Sequence, residues 1–228
     1  LLIADGKIAR IAPCGEIQEV GCEVIDATGM VVAPGLVDVH VHFRDPGFTY
    51  KEDIDTGAQA ALQGGFTSVV LMANTKPVVD NEETLDYILE KGKNTPIHVY
   101  SCASVSKGLQ GKELVDMALL YSKGAAGFTD DGIPLLDVDI LEQAFVKAAS
   151  IGVPVSLHEA NPALISNNGV NSDIAQKKFG IGGSPREAEI DLIARDLDIA
   201  LKTGVILDVQ HISTKEGVEL VRQARQKS

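Results

Sequence analysis

The stretch Asp38-Val39-His40-Val41-His42-Phe43-Arg44-Asp45-Pro46-Gly47 decides how the rest of the chain is read. Alternate residues of a strand project to the same side. His40 and His42 therefore face together, while Val39 and Val41 pack on the opposite side. The strand, residues 35–43, stops at a Pro-Gly pair. Two imidazoles leaving one strand end can converge on a metal ion. The plain alternative is two polar histidines on an edge strand, but their neighbours are apolar.

Working outward, a strand, a polar loop and an amphipathic helix recur. The spacing predicts a helix over 50–63, stopped by Gly64-Gly65, then a valine-rich strand over 67–72. Helices follow over 81–91, 112–122 and 139–150, between strands over 97–102, 125–129 and 153–158. Ser184-Pro185-Arg186-Glu187 reads as a helix start with Ser at the N-cap and Glu at N3, and that helix ends near Gly204. A sixth strand spans 205–211, and Ser213-Thr214-Lys215-Glu216 reads as a second capping box. Six βα units imply a parallel sheet with right-handed crossovers. An open doubly wound sheet and a (β/α)8 TIM barrel both remain. Polar residues at the C-terminal ends of successive strands favour the barrel. The chain is about two units short of eight, so we expect an incomplete barrel cut from a longer protein.

Residues 1–30 differ. Asp5-Gly6 sits between Leu2, Ile3, Ile8 and Ile11 as a hairpin turn, and 23–27 reads as a short strand. We take 1–30 as part of a small β domain and 31–228 as the barrel.

The 228 residues carry 20 Lys+Arg against 32 Asp+Glu, a formal net charge of −12. That argues against a nucleic-acid partner and against an anionic membrane surface. With 45% hydrophobic and 23% charged residues, the balance is that of a globular protein rather than a disordered one. No apolar run approaches the ~18 residues of a membrane span, and LLIADGKIAR lacks the pattern of a signal peptide. Cys14, Cys22 and Cys102 form no Cys-x-x-Cys pair and read as reduced thiols of a cytoplasmic protein; a Cys14–Cys22 disulfide is the alternative.

Three more histidines sort by position. His158 and His211 end the fifth and sixth strands and share a rim with the first pair; His98 opens the third strand at the other rim and reads as structural. Either late histidine alone would pass for a satisfied core residue. Together the set offers four imidazoles from three strands, enough for two metals if a carboxylate bridges them. Asp130-Asp131, ending strand four, offers that carboxylate; one of the two can reach the site, and the other suits capping the loop. Arg44 and Asn74 complete the rim, and a guanidinium with an amide suits a substrate carboxylate. A salt bridge from Arg44 to Asp45 or Glu52 is equally in keeping with the spacing.

Residues 34–47, Pro-Gly-Leu-Val-Asp-Val-His-Val-His-Phe-Arg-Asp-Pro-Gly, resemble the signature of the cyclic amidohydrolases, with a continuation like that of class I bacterial dihydroorotases. Met72-Ala73-Asn74-Thr75-Lys76-Pro77, Gly127-Phe128-Thr129-Asp130-Asp131-Gly132, His158-Glu159 and Gln210-His211-Ile212-Ser213-Thr214-Lys215 match that family in order. The resemblance implies a metal-dependent barrel with a small β-sandwich domain. The implied reaction is reversible cyclisation of N-carbamoyl-L-aspartate to L-dihydroorotate in pyrimidine biosynthesis, by a metal-bridging hydroxide. It also implies two zinc ions, His40 and His42 on one, His158 and His211 on the other, Asp131 bridging, and Arg44 and Asn74 on the substrate carboxylate. Hydantoinases and allantoinases carry a carboxylated lysine at the strand-four bridge; residues 125–131 contain no lysine. The family's strand-eight Asp-x-Ala-Pro-His, which supplies the general acid/base, has no counterpart after His211, so the expected catalytic Asp lies beyond Ser228. Two other readings follow from the same resemblance: a non-catalytic barrel serving assembly with aspartate transcarbamoylase, and a hydrolase of another cyclic amide. A homodimer is also compatible with it.

Overall fold

The valine-rich segment 66–71 becomes the middle strand of a parallel sheet. The structure, a computed structural model, describes residues 1–18, 20–167 and 169–228. By contacts the chain falls into two units, Leu1–Pro34 and Gly35–Ser228.

In the first unit β1 (Leu2–Ala4) and β2 (Lys7–Arg10) pair antiparallel. Asp5 and Gly6 take φ of 51° and 70°, the two left-handed residues that a tight hairpin requires. The expected strand over 23–27 is not formed. Asp26 instead accepts hydrogen bonds from the Thr28 N–H at 2.9 Å and the Thr28 hydroxyl at 2.6 Å, a local turn that competes with strand pairing.

The second unit opens with β3 (Leu36–Val41), α1 (Ile54–Gln63), β4 (Phe66–Leu71), α2 (Glu82–Gly92), β5 (His98–Ser101) and α3 (Met117–Ser122). It continues with α4 (Val138–Ile151), β6 (Pro154–Leu157), α5 (Ser172–Phe179), α6 (Glu187–Thr203), β7 (Ile206–Val209) and α7 (Lys215–Arg225). Strands β3, β4 and β5 run parallel in that order, and β6 pairs parallel with β7. Phe128 stitches the two sheets together through parallel bridges to Ala103 on one side and Val155 on the other. Six segments thus lie side by side in sequence order, each followed by helix. This is a mixed α/β arrangement with every strand's C-terminal end on one rim.

Several local expectations need correction. The fourth segment is held by bridges at Phe128 rather than by a full strand. The helix expected over 112–122 starts only at Met117, because Gly108 and Gly111 adopt positive φ and 113–115 turn back to bond with 105–107. Ser184 does not cap α6. Its backbone pairs with Val170 and Ser172, and the helix begins from Arg186 without a side-chain cap. Thr214, not Ser213, caps α7. Helix α5 was not anticipated. Val39 is 58% exposed rather than packed, since β3 has a single strand neighbour, β4. His98 opens β5 at the rim away from the site, and it is exposed.

The core lies between sheet and helices, where Phe128, Phe145, Ile54, Leu71, Leu85 and Met117 are fully buried. Asp45, also fully buried, rivets the loop after β3 to the helices. It accepts from the Tyr87 hydroxyl at 2.9 Å, the Lys91 ammonium at 2.6 Å and the Ile54 N–H at 3.3 Å. The preceding Arg44 is held at φ 60°, a conformation non-glycine residues adopt only under such constraint.

Phe128→Ala should destabilise the protein by about 3–5 kcal/mol, as measured by urea unfolding, because it empties the junction between the sheets. Asp45→Ala should cost about 3 kcal/mol in the same assay. The low end of the buried-pair range applies because the Lys91 side chain keeps 29% exposure.

Candidate metal centre

Three strand ends supply the site. His40 lies in β3 and His42 just beyond it, His158 follows β6 directly, and His211 lies two residues past β7. Alternation on β3 places the first two rings together, with Nε2 atoms 3.1 Å apart and ring centroids at 5.0 Å. His211 stands 5.4 Å from His40 and 4.6 Å from His158, centroid to centroid.

Asp131 sits in the middle, 5% exposed. One carboxylate oxygen, Oδ1, lies 3.6 Å from His40 Nε2, 3.5 Å from His158 Nδ1 and 3.9 Å from His211 Nε2. The other, Oδ2, lies 3.3 Å from His42 Nε2 and accepts from the Asn74 amide at 2.9 Å. Burial pushes this carboxyl up, but the imidazoles of His158, His40 and His42 outweigh it and leave Asp131 below the ordinary carboxylate range. Burial holds the His42 and His211 imidazoles below their usual value despite the nearby Asp131. The cluster is thus an anion beside two imidazoles, His42 and His211, inclined to neutrality, the protonation state in which this group binds cations.

The adjacent Asp130 does the other job. Its carboxylate accepts from the N–H groups of Val105 at 2.8 Å and Ser106 at 3.1 Å, and from the Ser106 hydroxyl. Burial pushes its carboxyl up in spite of those bonds. Thr129 supports the neighbour, its hydroxyl oxygen accepting from the Asp131 N–H at 3.1 Å and from the Gln210 amide at 3.3 Å.

Asn74 is shared out within the cluster. Its carbonyl oxygen lies 3.1 Å from His42 Nδ1 and accepts from Arg44 at 3.4 Å. Arg44 forms no ion pair with Asp45 or Glu52 among the described residues. Asp45 is taken by Lys91.

The donor set suits a divalent cation. Two donors each about 2.1 Å from a tetrahedral zinc ion lie about 3.4 Å apart, and the Asp131–imidazole separations of 3.3–3.9 Å bracket that spacing. Ligand atoms of His40, Asp131 and His211 all fall within 4.8 Å of one another. His158 Nδ1 is buried without a hydrogen-bond partner, an orphan that a cation would satisfy.

Sequence reading passed over some neighbours. Glu159, directly after His158, is buried against Asp196 of α6; burial and that second carboxylate push it well above the ordinary range. Glu189 of α6 grips the segment after His211. Glu159 entered the sequence reading only as part of the His158-Glu159 match, without a role, and Glu189 carried no local signal; both act through α6.

Among the described residues no helix is long and apolar enough to cross a membrane. Residues 29–217 match the model of a family described as Dihydro-orotase-like. A dihydroorotase of Clostridioides difficile is 52% identical over 225 residues, and one of Streptococcus pneumoniae 48%, each alignment covering 99% of this chain and 53% of the relative. The chain therefore spans about half the length of the curated relatives it matches. Among solved structures, an L-hydantoinase from Arthrobacter aurescens aligns with a TM-score of 0.75 at 26% identity, covering 99% of this chain and 51% of that one. A D-hydantoinase aligns at 0.77 and 26%, covering 100% and 51%. With the family match running through the strand ends that carry His40, His42, Asp131, His158 and His211, the chain belongs to the dihydro-orotase-like family.

Proposed function

We propose that this chain forms the metal-binding part of a dihydroorotase, a zinc-dependent cyclic amidohydrolase that interconverts N-carbamoyl-L-aspartate and L-dihydroorotate in pyrimidine biosynthesis. The observation that carries the reading is one buried carboxylate, Asp131, within 3.3–3.9 Å of four imidazoles from three strand ends. His40 and His42 would hold one zinc ion, His158 and His211 the other, with Asp131 shared. Two such ions, when bound, supply Lewis acidity at the ring amide carbonyl and acidify water.

The protein's own groups then have distinct tasks. Asp131 stays anionic between the imidazoles. The Arg44 guanidinium and the Asn74 amide bind the substrate carboxylate by directed hydrogen bonds. Proton transfer to the leaving nitrogen falls to an aspartate outside these 228 residues. In the same reading the parallel segments are six eighths of a (β/α)8 barrel formed by 31–228, and 1–30 contribute to a small β domain. The location is cytoplasmic, in keeping with Cys14, Cys22 and Cys102 as free thiols. A homodimer and a complex with aspartate transcarbamoylase are the assemblies the reading admits.

The lysine-free segment 125–131 and the dihydroorotase relatives at 45–52% identity favour this substrate over hydantoins or allantoin. A non-catalytic barrel would be expected to lose ligands, whereas all five are present.

The test uses the full-length protein, with the segment that supplies the proton-transfer aspartate. Zinc per protomer and dihydroorotate hydrolysis are measured for the wild type, Asp131→Ala and His158→Ala. Loss of an outer partner of a metal ligand typically costs about 10–100-fold, so loss of a ligand should lower activity by at least about 100-fold and release zinc. Full zinc loading without turnover of dihydroorotate, or turnover indifferent to Asp131→Ala, would overturn the reading.

A further inference from the structure

His40 and His42 flank Val41, which is paired with Leu71 of β4. His211 has no such support. It lies past the last paired residue of β7, Val209, its backbone is left-handed at φ 32°, and its side chain is 48% exposed. For a β-carbon-bearing residue that φ is held only where the surroundings over-determine it. The constraint lies two and three residues further on, at Ser213 and Thr214.

Glu189, in the first turn of α6, takes both. Its two carboxylate oxygens each lie 3.1 Å from the Ser213 N–H; Oε2 accepts from the Ser213 hydroxyl at 2.6 Å. Oε1 accepts from the Thr214 N–H at 2.8 Å and the Thr214 hydroxyl at 2.6 Å. Hydrogen bonds to an ionised carboxylate are the stronger kind. Here they fix the main chain two and three residues beyond His211, while the Gln210 N–H donates to Leu157 O at 3.1 Å on the other side. His211 is clamped from both flanks. The same helix turn also holds the segment after His158, because the Ala188 carbonyl accepts from the Asn161 N–H at 2.8 Å.

We propose that Glu189 is the positioning residue for His211, setting the backbone that presents this imidazole to the cation it shares with His158. The inference rests on the proposed reading of His211 as a metal ligand. The competing idea is that Glu189 merely fastens α6 to α7. A second contact does that without touching the His211 backbone: Arg186 at the start of α6 pairs with Glu216 in α7.

The experiment loads the full-chain apoprotein with cobalt and reads metal equivalents, affinity by chelator competition, and the visible absorption of the bound ion. Variants are His211→Ala, Glu189→Gln, Glu189→Ala and Glu216→Gln. His211→Ala should lose one of two tightly held ions. Glu189→Gln keeps an acceptor for Thr214 but turns an amide toward the Ser213 donors. It should weaken the same ion by about 10–100-fold and shift its absorption, with the other ion unaffected. Glu189→Ala should do so more strongly; if it fails to fold, Glu189→Gln carries the test. Glu216→Gln should bind within about twofold of the wild type. Wild-type cobalt binding by Glu189→Gln, with His211→Ala impaired, overturns the inference and leaves the reading of the site standing. Equal effects of Glu189→Gln and Glu216→Gln overturn it too. Undiminished binding by His211→Ala removes both.

Discussion

A buried anion needs compensation, and Asp131 determines what the surrounding chain must supply. Removing a carboxylate from water is costly unless charge or hydrogen bonds replace the hydration. Within the protein the replacements are the Asn74 amide and imidazoles arriving from three strand ends. None of these comes from Asp131's own neighbourhood in sequence. The site therefore exists only when parallel strands bring residues 40–42, 74, 158 and 211 to one rim. Assembly of the centre requires the folded sheet.

The same device recurs at lower stakes around the rim. Asp45 accepts the Ile54 N–H, Asp130 the N–H groups of Val105 and Ser106, and Glu189 those of Ser213 and Thr214. In each case a carboxylate ties the main chain of one post-strand segment to another part of the molecule. Loops after strands lack the ladder that orders the strands themselves, so their geometry must come from side chains. Part of the excess of 32 acidic over 20 basic residues is spent on this internal bracing.

That pattern explains what was legible in the sequence. Alternation on 38–42 showed that His40 and His42 share a side, because period two is local. Asp130 and Asp131 were separable in principle, since one of two successive residues can face the centre; which one was a question for tertiary structure, and Asp130 turns to the 105–106 backbone. The capping box at 184–187 failed because Ser184 spends its backbone on Val170 and Ser172, a pairing across 12 residues or more that no local pattern encodes. The strand expected over 125–129 shrank to bridges at Phe128: Gly127 and Thr129 both bond to Ala103 on one side, while Phe128 bonds to Pro154 and Ser156 on the other. Glu189 left no trace at all, since a glutamate in the first turn of a helix is ordinary there.

The two histidine pairs are therefore built by different physics. His40 lies in β3 and His42 just beyond it, on either side of Val41, which pairs with Leu71 of β4. His158 and His211 are separated by 53 positions and both lie just past β6 and β7, where the ladder has ended. Their approach to 4.6 Å between ring centroids depends on the pairing of β6 with β7 and on α6 holding both exits. A pair fixed by its own strand tolerates changes elsewhere in the fold. A pair fixed through a helix is coupled to that helix, so the half of the centre carrying His158 and His211 is the half that distant substitutions can reach.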